Sequence, residues 1–97
     1  MRLEFSPAAE ADLVEIASFI ARDNVARAVT FIDELDASCA KLVDHPHSGV
    51  VRSDLPTGLR SKAHGSYVIF YSVLETVIRI ERILHGARDI GVILSPN

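Results

Sequence analysis

The sequence predicts an α+β fold of two layers: an N-terminal strand, an antiparallel helical hairpin packed on an antiparallel sheet, and a short C-terminal tail or helix. Two amphipathic helical patterns follow each other in the first half of the chain. Alternating and β-branched segments dominate from residue 58 onward. Helices gathered in one part of a chain and consecutive strands in another are typical of α+β domains. Residues 1–97 are expected to form one domain, because a chain of this length can bury only one modest core.

The first two elements are predicted from alternation and from capping chemistry. Residues 2–5 alternate between polar and apolar side chains, which is typical of a strand with one buried face. Ser6 is a good N-cap, and Pro7 suits the first helical position because its missing N–H would have no partner there. The helix extends to about residue 22 on an apolar stripe at three- and four-residue steps, formed by Ala9, Leu13, Ile16, Ala17 and Ile20.

The second helix is predicted from Asn24, a good N-cap, to about residue 43. Its apolar stripe is the clearest in the sequence and consists of Ala28, Phe31, Ile32, Leu35, Cys39 and Leu42. Because only two or three residues separate it from the first helix, the two form an antiparallel hairpin. Cys39 lies on the buried stripe, which favours core packing over a role as a nucleophile.

The sheet is predicted from three strands in the second half of the chain. Residues 44–57 carry turn chemistry and are interpreted as an exposed connection. Strands follow at residues 58–64, 67–71 and 76–85, and the middle one is rich in aromatic and β-branched side chains. Gly65 can adopt the positive φ that a tight hairpin turn requires. Residues 87–94 are expected to form a tail of one or two helical turns.

Composition and charge exclude several classes of protein. Hydrophobic residues make up 48% of the chain, too many for a disordered tail. The net charge of -3 argues against a protein that holds nucleic acid mainly through phosphates. A single cysteine cannot form an internal disulfide, and no apolar stretch is long enough to span a bilayer. These features predict a cytoplasmic protein that makes no membrane contact.

Four histidines raise the possibility of a metal site. Asp44, His45 and His47 cluster in the connection, but a site needs at least three ligands held in a fixed geometry. Solvated loop histidines are the favoured interpretation, so no metal is predicted. The sequence also lacks a glycine-rich phosphate loop, and no cofactor is expected.

Basic side chains concentrate in the sheet half of the chain. Residues 1–45 hold 4 basic and 9 acidic groups, whereas residues 46–97 hold 6 basic and 4 acidic groups. Strict alternation places Arg60, Lys62 and His64 on one face of their strand, and gives Arg79 and His85 a common face on the last strand. Such a face can bind and cleave RNA, dock an acidic partner, or be an ordinary solvated surface.

Arg82 is unusual because it interrupts the apolar alternation of the last strand. A charged group on that face must reach solvent or find a partner. Glu4 and Asp89 are the predicted partners.

The motifs together resemble a known toxin family. The run Arg82-Ile83-Leu84-His85-Gly86-Ala87-Arg88-Asp89 resembles the C-terminal signature of ParE toxins, the toxin half of ParDE toxin–antitoxin pairs. The remaining matches follow in order: Ser6-Pro7-Ala8-Ala9 with Asp12-Leu13; Phe31, Leu35 and Leu42; His45-Pro46 with Gly49; Gly58-Leu59-Arg60; and Tyr67-Val68-Ile69-Phe70-Tyr71. The resemblance covers nearly the whole chain and implies a RelE/ParE-like fold.

The resemblance also implies a function and partners. It implies a growth-inhibiting toxin that poisons DNA gyrase, is neutralised by a cognate ParD-like antitoxin, and meets operator DNA only indirectly, through the antitoxin complex. Such a toxin acts by binding and needs no catalytic residue. The alternative is a RelE-type, ribosome-dependent mRNA endoribonuclease, for which Arg60, Arg79, Arg82 and His85 are the candidate catalytic residues. The acidic net charge ranks this alternative second.

Candidate partner-binding residues fall into an apolar and a basic group. Apolar surface at the borders of the helical stripes, with one aromatic residue from the sheet, is expected to bind the antitoxin; these candidates are Val14, Phe19, Val29 and Tyr71. The basic candidates are Arg60, Arg82 and Arg88, on the sheet and the start of the tail, and the surface at Arg82 and Arg88 is the one expected to meet gyrase.

Overall fold

The order of elements follows the predicted order, with one short strand added. A computed structural model of the chain describes residues 1–55, 58–88 and 90–94. The elements are β1 (Arg2–Phe5), α1 (Pro7–Ala21), α2 (Val25–Asp44), β2 (Val50–Val51), β3 (Arg60–His64), β4 (Tyr67–Val73), β5 (Val77–His85) and α3 (Ile90–Ile93). The connection predicted at 44–57 therefore contains β2, while residues 56 and 57 lie outside the described residues.

The strands form one mixed sheet in the order β1-β5-β4-β3-β2. The three strands predicted after residue 58 pair antiparallel with their neighbours in sequence, as expected. β1 pairs in parallel with β5, and β2 adds an antiparallel edge next to β3. Gly65, at φ +58, forms the turn between β3 and β4.

The predicted helix caps are confirmed. The Ser6 hydroxyl accepts a hydrogen bond from the Ala9 N–H at 3.0 Å and donates one to the Glu81 carbonyl at 2.7 Å. Asn24 Oδ1 accepts from the Arg27 N–H at 2.9 Å and begins α2. Ser6 thus caps α1 and also ties its first turn to β5, which fixes where the helical hairpin sits on the sheet.

The main core lies between the helical hairpin and one face of the sheet. We call this side of the sheet the helix face. Its fully or nearly fully buried residues are Ala9, Ile16, Leu35, Cys39, Leu42, Ile69, Tyr71, Ile78, Ile80 and Ile83. Burying each large apolar side chain contributes about 2 kcal/mol. This cluster confirms the two predicted stripes as the inward faces of α1 and α2.

The opposite side of the sheet, the outer face, carries a smaller second cluster. Leu55, Leu59, Phe70 and Leu84 are buried there, and Val68, Ile90, Ile93 and Leu94 pack against them. The short helix α3 therefore folds back over the sheet instead of projecting as a tail. The two-layer description holds for the helical hairpin and sheet, with a thin partial cover on the outer face.

A β-bulge in β5 changes which side chains share a face. Tyr71 pairs with Ile80, whereas the preceding Phe70 pairs with Arg82, so Glu81 has no partner in the ladder. One extra residue shifts the alternation of everything that follows it. The predicted common face of Arg79 and His85 is therefore wrong: Arg79 lies on the outer face and His85 on the helix face. Arg82 lies beside Leu84 and not on the apolar face of Ile78 and Ile80.

The buried thiol of Cys39 is expected to be unreactive in the folded protein. Burial, with a smaller contribution from the charge of Asp36, raises its pKa from an ordinary 9.0 to about 12. The thiolate is the reactive form, so almost none is present near neutral pH. We expect iodoacetamide at about pH 8 to leave the native protein unmodified and to label the denatured protein fully. Rapid, stoichiometric labelling of the native protein would contradict this.

Candidate partner-binding site

A cleft of about 350 Å³ opens between α1 and the ends of β4 and β5. We call it the α1–β5 cleft. Its lining combines apolar and charged side chains: Asp12, Glu15, Ile16, Ser18, Phe19, Arg22, Tyr67, Ile83, His85 and Arg88. The helical residues among them recur at three- and four-residue steps, which place them on one side of α1. The cleft forms because β1 ends at Phe5 while β5 continues to His85, so α1 takes the place of a neighbouring strand.

A largely buried ion pair joins α1 to β5, the two elements that border the cleft. Asp12 accepts hydrogen bonds from Arg82 Nε at 2.8 Å and Arg82 Nη2 at 2.9 Å. The same carboxylate accepts the N–H of Ile83 at 2.9 Å. The hydrogen bond to Asp12 raises the pKa of Arg82 above its ordinary value, so the guanidinium stays charged. The ion pair neutralises Arg82 and supplies the hydrogen bond that a strand beside β5 would otherwise make.

The partner of Arg82 differs from both sequence predictions. Glu4 lies on another part of the sheet, where it pairs with Arg79 at 3.2 Å. Asp89 is outside the described residues. Asp12 was missed because it precedes Arg82 by 70 positions, and no local pattern links the second turn of α1 to the end of β5.

A row of aromatic rings and histidines runs from α2 across the sheet to the cleft. The ring of Phe31 lies 5.6 Å from the rings of both His64 and Tyr67. Tyr67 in turn meets His85 edge to face at 5.3 Å. His85 Nδ1 accepts the N–H of Ala87 at 3.1 Å, so the neutral ring carries its proton on Nε2. Of this row, Tyr67 and the exposed His85 line the cleft.

The outer face carries a separate polar network around Arg79. Its guanidinium pairs with Glu4 at 3.2 Å and with Glu81 at 3.3 Å. Glu81 also accepts a hydrogen bond from the Ser72 hydroxyl at 3.0 Å. Two carboxylates therefore surround one guanidinium, which leaves Arg79 without excess positive charge to offer to a phosphate.

The four residues predicted for RNA cleavage do not converge. Arg79 and Arg82 lie on the outer face and are paired with carboxylates. Arg60 pairs in the ladder with Tyr71, and Nη1 donates to the Gly49 carbonyl at 3.0 Å. His85 pairs with Tyr67, four positions from Tyr71 along β4, or about 13 Å away. No single bound phosphate can contact all four side chains.

The apolar partner-binding candidates from the helices are accessible. Val14, Phe19 and Val29 have 67%, 62% and 59% of their surface exposed. Arg88 is also exposed. Of these four, Phe19 and Arg88 line the α1–β5 cleft. Two exposed charged residues that also line the cleft, Glu15 on α1 and Arg22 at its C-cap, follow from the helical period of Phe19 but were not selected from the sequence.

Tyr71 is corrected from a partner-binding residue to a core residue. It is fully buried, its hydroxyl donates to the Pro46 carbonyl, and the same oxygen accepts the Gly49 N–H, both at 2.9 Å. A fully buried aromatic residue whose hydroxyl makes both of its hydrogen bonds inside the fold has no surface to offer a partner. Arg60 and Arg82 are half-buried and use their guanidinium groups within the chain.

The described part of the chain was predicted to hold no metal and to span no membrane. Within residues 1–55, 58–88 and 90–94, no three side chains of His, Cys, Asp or Glu converge as metal ligands. Over the same ranges, no helix combines the length and apolar character needed to cross a membrane.

Comparison with known proteins gives three consistent results. The family described as "ParE toxin of type II toxin-antitoxin system, parDE" matches residues 3–90. The protein called Toxin ParE1 from Caulobacter vibrioides is 36% identical over 82 residues, which cover 84% of each chain. A solved structure described as "Chromosomal ParDE TA system from P. aeruginosa" contains a similar fold, with a TM-score of 0.76 at 22% identity; the match covers 88% of this chain and 95% of that one.

Proposed function

Because this chain belongs to the ParE toxin family, we propose that it inhibits growth by poisoning DNA gyrase and that a cognate ParD-like antitoxin neutralises it. The family match over residues 3–90 carries this proposal. The structure supports it because the exposed apolar side chains and the α1–β5 cleft suit recognition of another protein. Gyrase is the target and the antitoxin is the neutralising partner in this proposal.

The charge distribution supports binding over RNA cleavage. Arg79 and Arg82 are neutralised by carboxylates, and Arg60 and His85 are far apart on the sheet. The chain as a whole carries a net charge of -3, which disfavours contact with ribosomal RNA. For the same reason we propose that operator DNA is reached only through the antitoxin. The proposed target, gyrase, places the toxin in the cytoplasm in this proposal.

Gyrase poisoning predicts a specific change in plasmid topology. Purified toxin, gyrase and supercoiled plasmid should give linear DNA after denaturation of the enzyme, because a poison traps the cleaved complex. Excess antitoxin should restore intact circles. No linear DNA, together with normal supercoiling of relaxed plasmid, in a large molar excess of toxin would overturn the target assignment.

The ribonuclease alternative is tested in parallel. Wild-type toxin added to ribosomes translating a defined mRNA should leave the mRNA intact. Cleavage that is lost in His85→Ala, but kept in an exposed control such as Lys41→Ala, would establish the alternative.

A further inference from the structure

The α1–β5 cleft is lined in part by apolar and cationic side chains that the fold leaves exposed. We propose that it binds an extended antitoxin segment carrying an apolar side chain next to a carboxylate. The identity of the partner rests on the proposed function. The kind of segment is argued from the cleft itself. A volume of about 350 Å³ is at the lower limit of ligand-sized clefts and suits one large side chain with its flanking backbone.

The apolar part of the segment is indicated by Phe19. This side chain keeps 62% of its surface exposed although it borders the cleft. Ile16 and Ile83 form the floor and are almost fully buried, while Tyr67 closes one side. An apolar residue inserted between Phe19 and this floor would remove the exposed ring from water, as interface anchors do.

The carboxylate is indicated by the cations at the rim. Arg22 and Arg88 are exposed and line the cleft, and neither makes an ion pair within the described part of the chain. Of the two lining carboxylates, Asp12 is neutralised by Arg82, and Glu15 makes no ion pair within the described residues. Two arginines against one carboxylate leave the lining with a net positive charge, which favours an anionic group on the partner.

A protein segment fits this cleft better than a nucleic acid. A phosphate backbone would meet Glu15 within the cleft and the acidic helical half around it, where residues 1–45 hold 9 acidic and 4 basic groups. A single carboxylate beside an apolar side chain needs only the local cations. Salt should weaken the interaction, because the two arginines are exposed to solvent.

The test is calorimetric titration of the wild-type toxin and its variants with the cognate antitoxin. Phe19→Ala, Arg22→Glu and Arg88→Glu should each raise the dissociation constant by about 10-fold or more, which corresponds to about 1.4 kcal/mol. Leu74→Ala and Lys41→Glu are the matched apolar and charged controls, since both residues are exposed and neither lines the cleft. The controls should stay within about 2-fold of the wild type. Thermal unfolding of each variant verifies that the fold is retained.

Several outcomes would overturn the proposal. These are unchanged antitoxin affinity in all three folded cleft variants, no antitoxin binding by the wild type, or loss of gyrase poisoning in the cleft variants with antitoxin binding intact. Binding of a single-stranded oligonucleotide that Arg22→Glu and Arg88→Glu abolish would assign the cleft to nucleic acid instead. A wild-type dimer that Phe19→Ala dissociates would assign it to a second copy of the chain.

Gyrase provides the independent readout. Cleft variants that still poison gyrase but resist neutralisation would support both the proposed function and the seat of the antitoxin. If the wild type leaves gyrase unaffected but the cleft variants lose antitoxin affinity, the target assignment fails while the cleft proposal stands.

Discussion

Replacing Asp12 with alanine is expected to lower the free energy of unfolding by about 3 kcal/mol, at the low end for removing one partner of a buried ion pair. The side chain of Asp12 is 6% exposed, whereas that of Arg82 keeps 25% of its surface in solvent and can relax toward water. The substitution leaves the guanidinium without its counter-charge and removes the acceptor of the Ile83 N–H. Urea denaturation of the wild type and the variant measures the difference.

Two matched variants separate charge from general disruption of α1. Asp12→Asn keeps an oxygen that can accept the Ile83 N–H but loses the ion pair, so a loss between the wild type and Asp12→Ala is expected. Glu10→Ala removes an exposed carboxylate from the same helix and should change the stability by less than about 0.5 kcal/mol. An Asp12→Ala protein as stable as the wild type would show that the ion pair contributes nothing net.

Local sequence patterns predicted the elements because local physics determines them. Ser6 and Asn24 begin their helices because each side chain accepts a hydrogen bond from the backbone N–H three residues later. Such a bond spans a single turn. The stripe that contains Leu35 and Cys39 is buried, as its spacing predicted. The parallel partner of β1 was not predictable in this way, because its pairing with β5 joins residues about 75 positions apart.

The errors in the predicted site arise from one inserted residue and one hydroxyl group. The bulge at Glu81 reverses the side of the sheet on which later residues lie, so strict alternation placed Arg79 and His85 together incorrectly. Tyr71 was selected as a surface aromatic residue, because the sequence does not show that its hydroxyl reaches the loop at Pro46 and Gly49. Phe19 was found as an apolar residue at a stripe border, and its exposure agrees with that interpretation.

The regional charge count overstated the positive surface of the sheet. Arg79 and Arg82 are both engaged by carboxylates, and Arg52 pairs with Asp54 at 2.8 Å. Of the basic residues on or near the sheet, Arg88 is the exposed arginine that borders the cleft. Arg88 at the start of the tail and Arg22, which follows α1, both line the cleft, and in the proposal above they are the cations that a partner carboxylate would meet.

Replacing Gly49 with alanine is expected to destabilise the protein by about 3 kcal/mol, at the upper end of the usual cost of overpacking. An added Cβ would collide with the Tyr71 hydroxyl and lie 2.8 Å from the Ser61 carbonyl oxygen. Both polar groups of Gly49 are also engaged, since its N–H donates to Tyr71 and its carbonyl accepts from Arg60. The backbone of the loop and the sheet meet too closely here for any side chain, so relief requires breaking these hydrogen bonds.

Gly86→Ala is the matched control for this prediction, and urea denaturation again measures the change. A Cβ on Gly86 would have the Ser66 carbonyl oxygen at 3.4 Å as its nearest neighbour, an ordinary contact distance. Its expected effect on stability is below about 0.5 kcal/mol. Equal losses from the two substitutions would contradict the steric explanation, whereas a loss confined to Gly49→Ala would show that the fold requires glycine there because the Tyr71 hydroxyl joins the loop to the sheet.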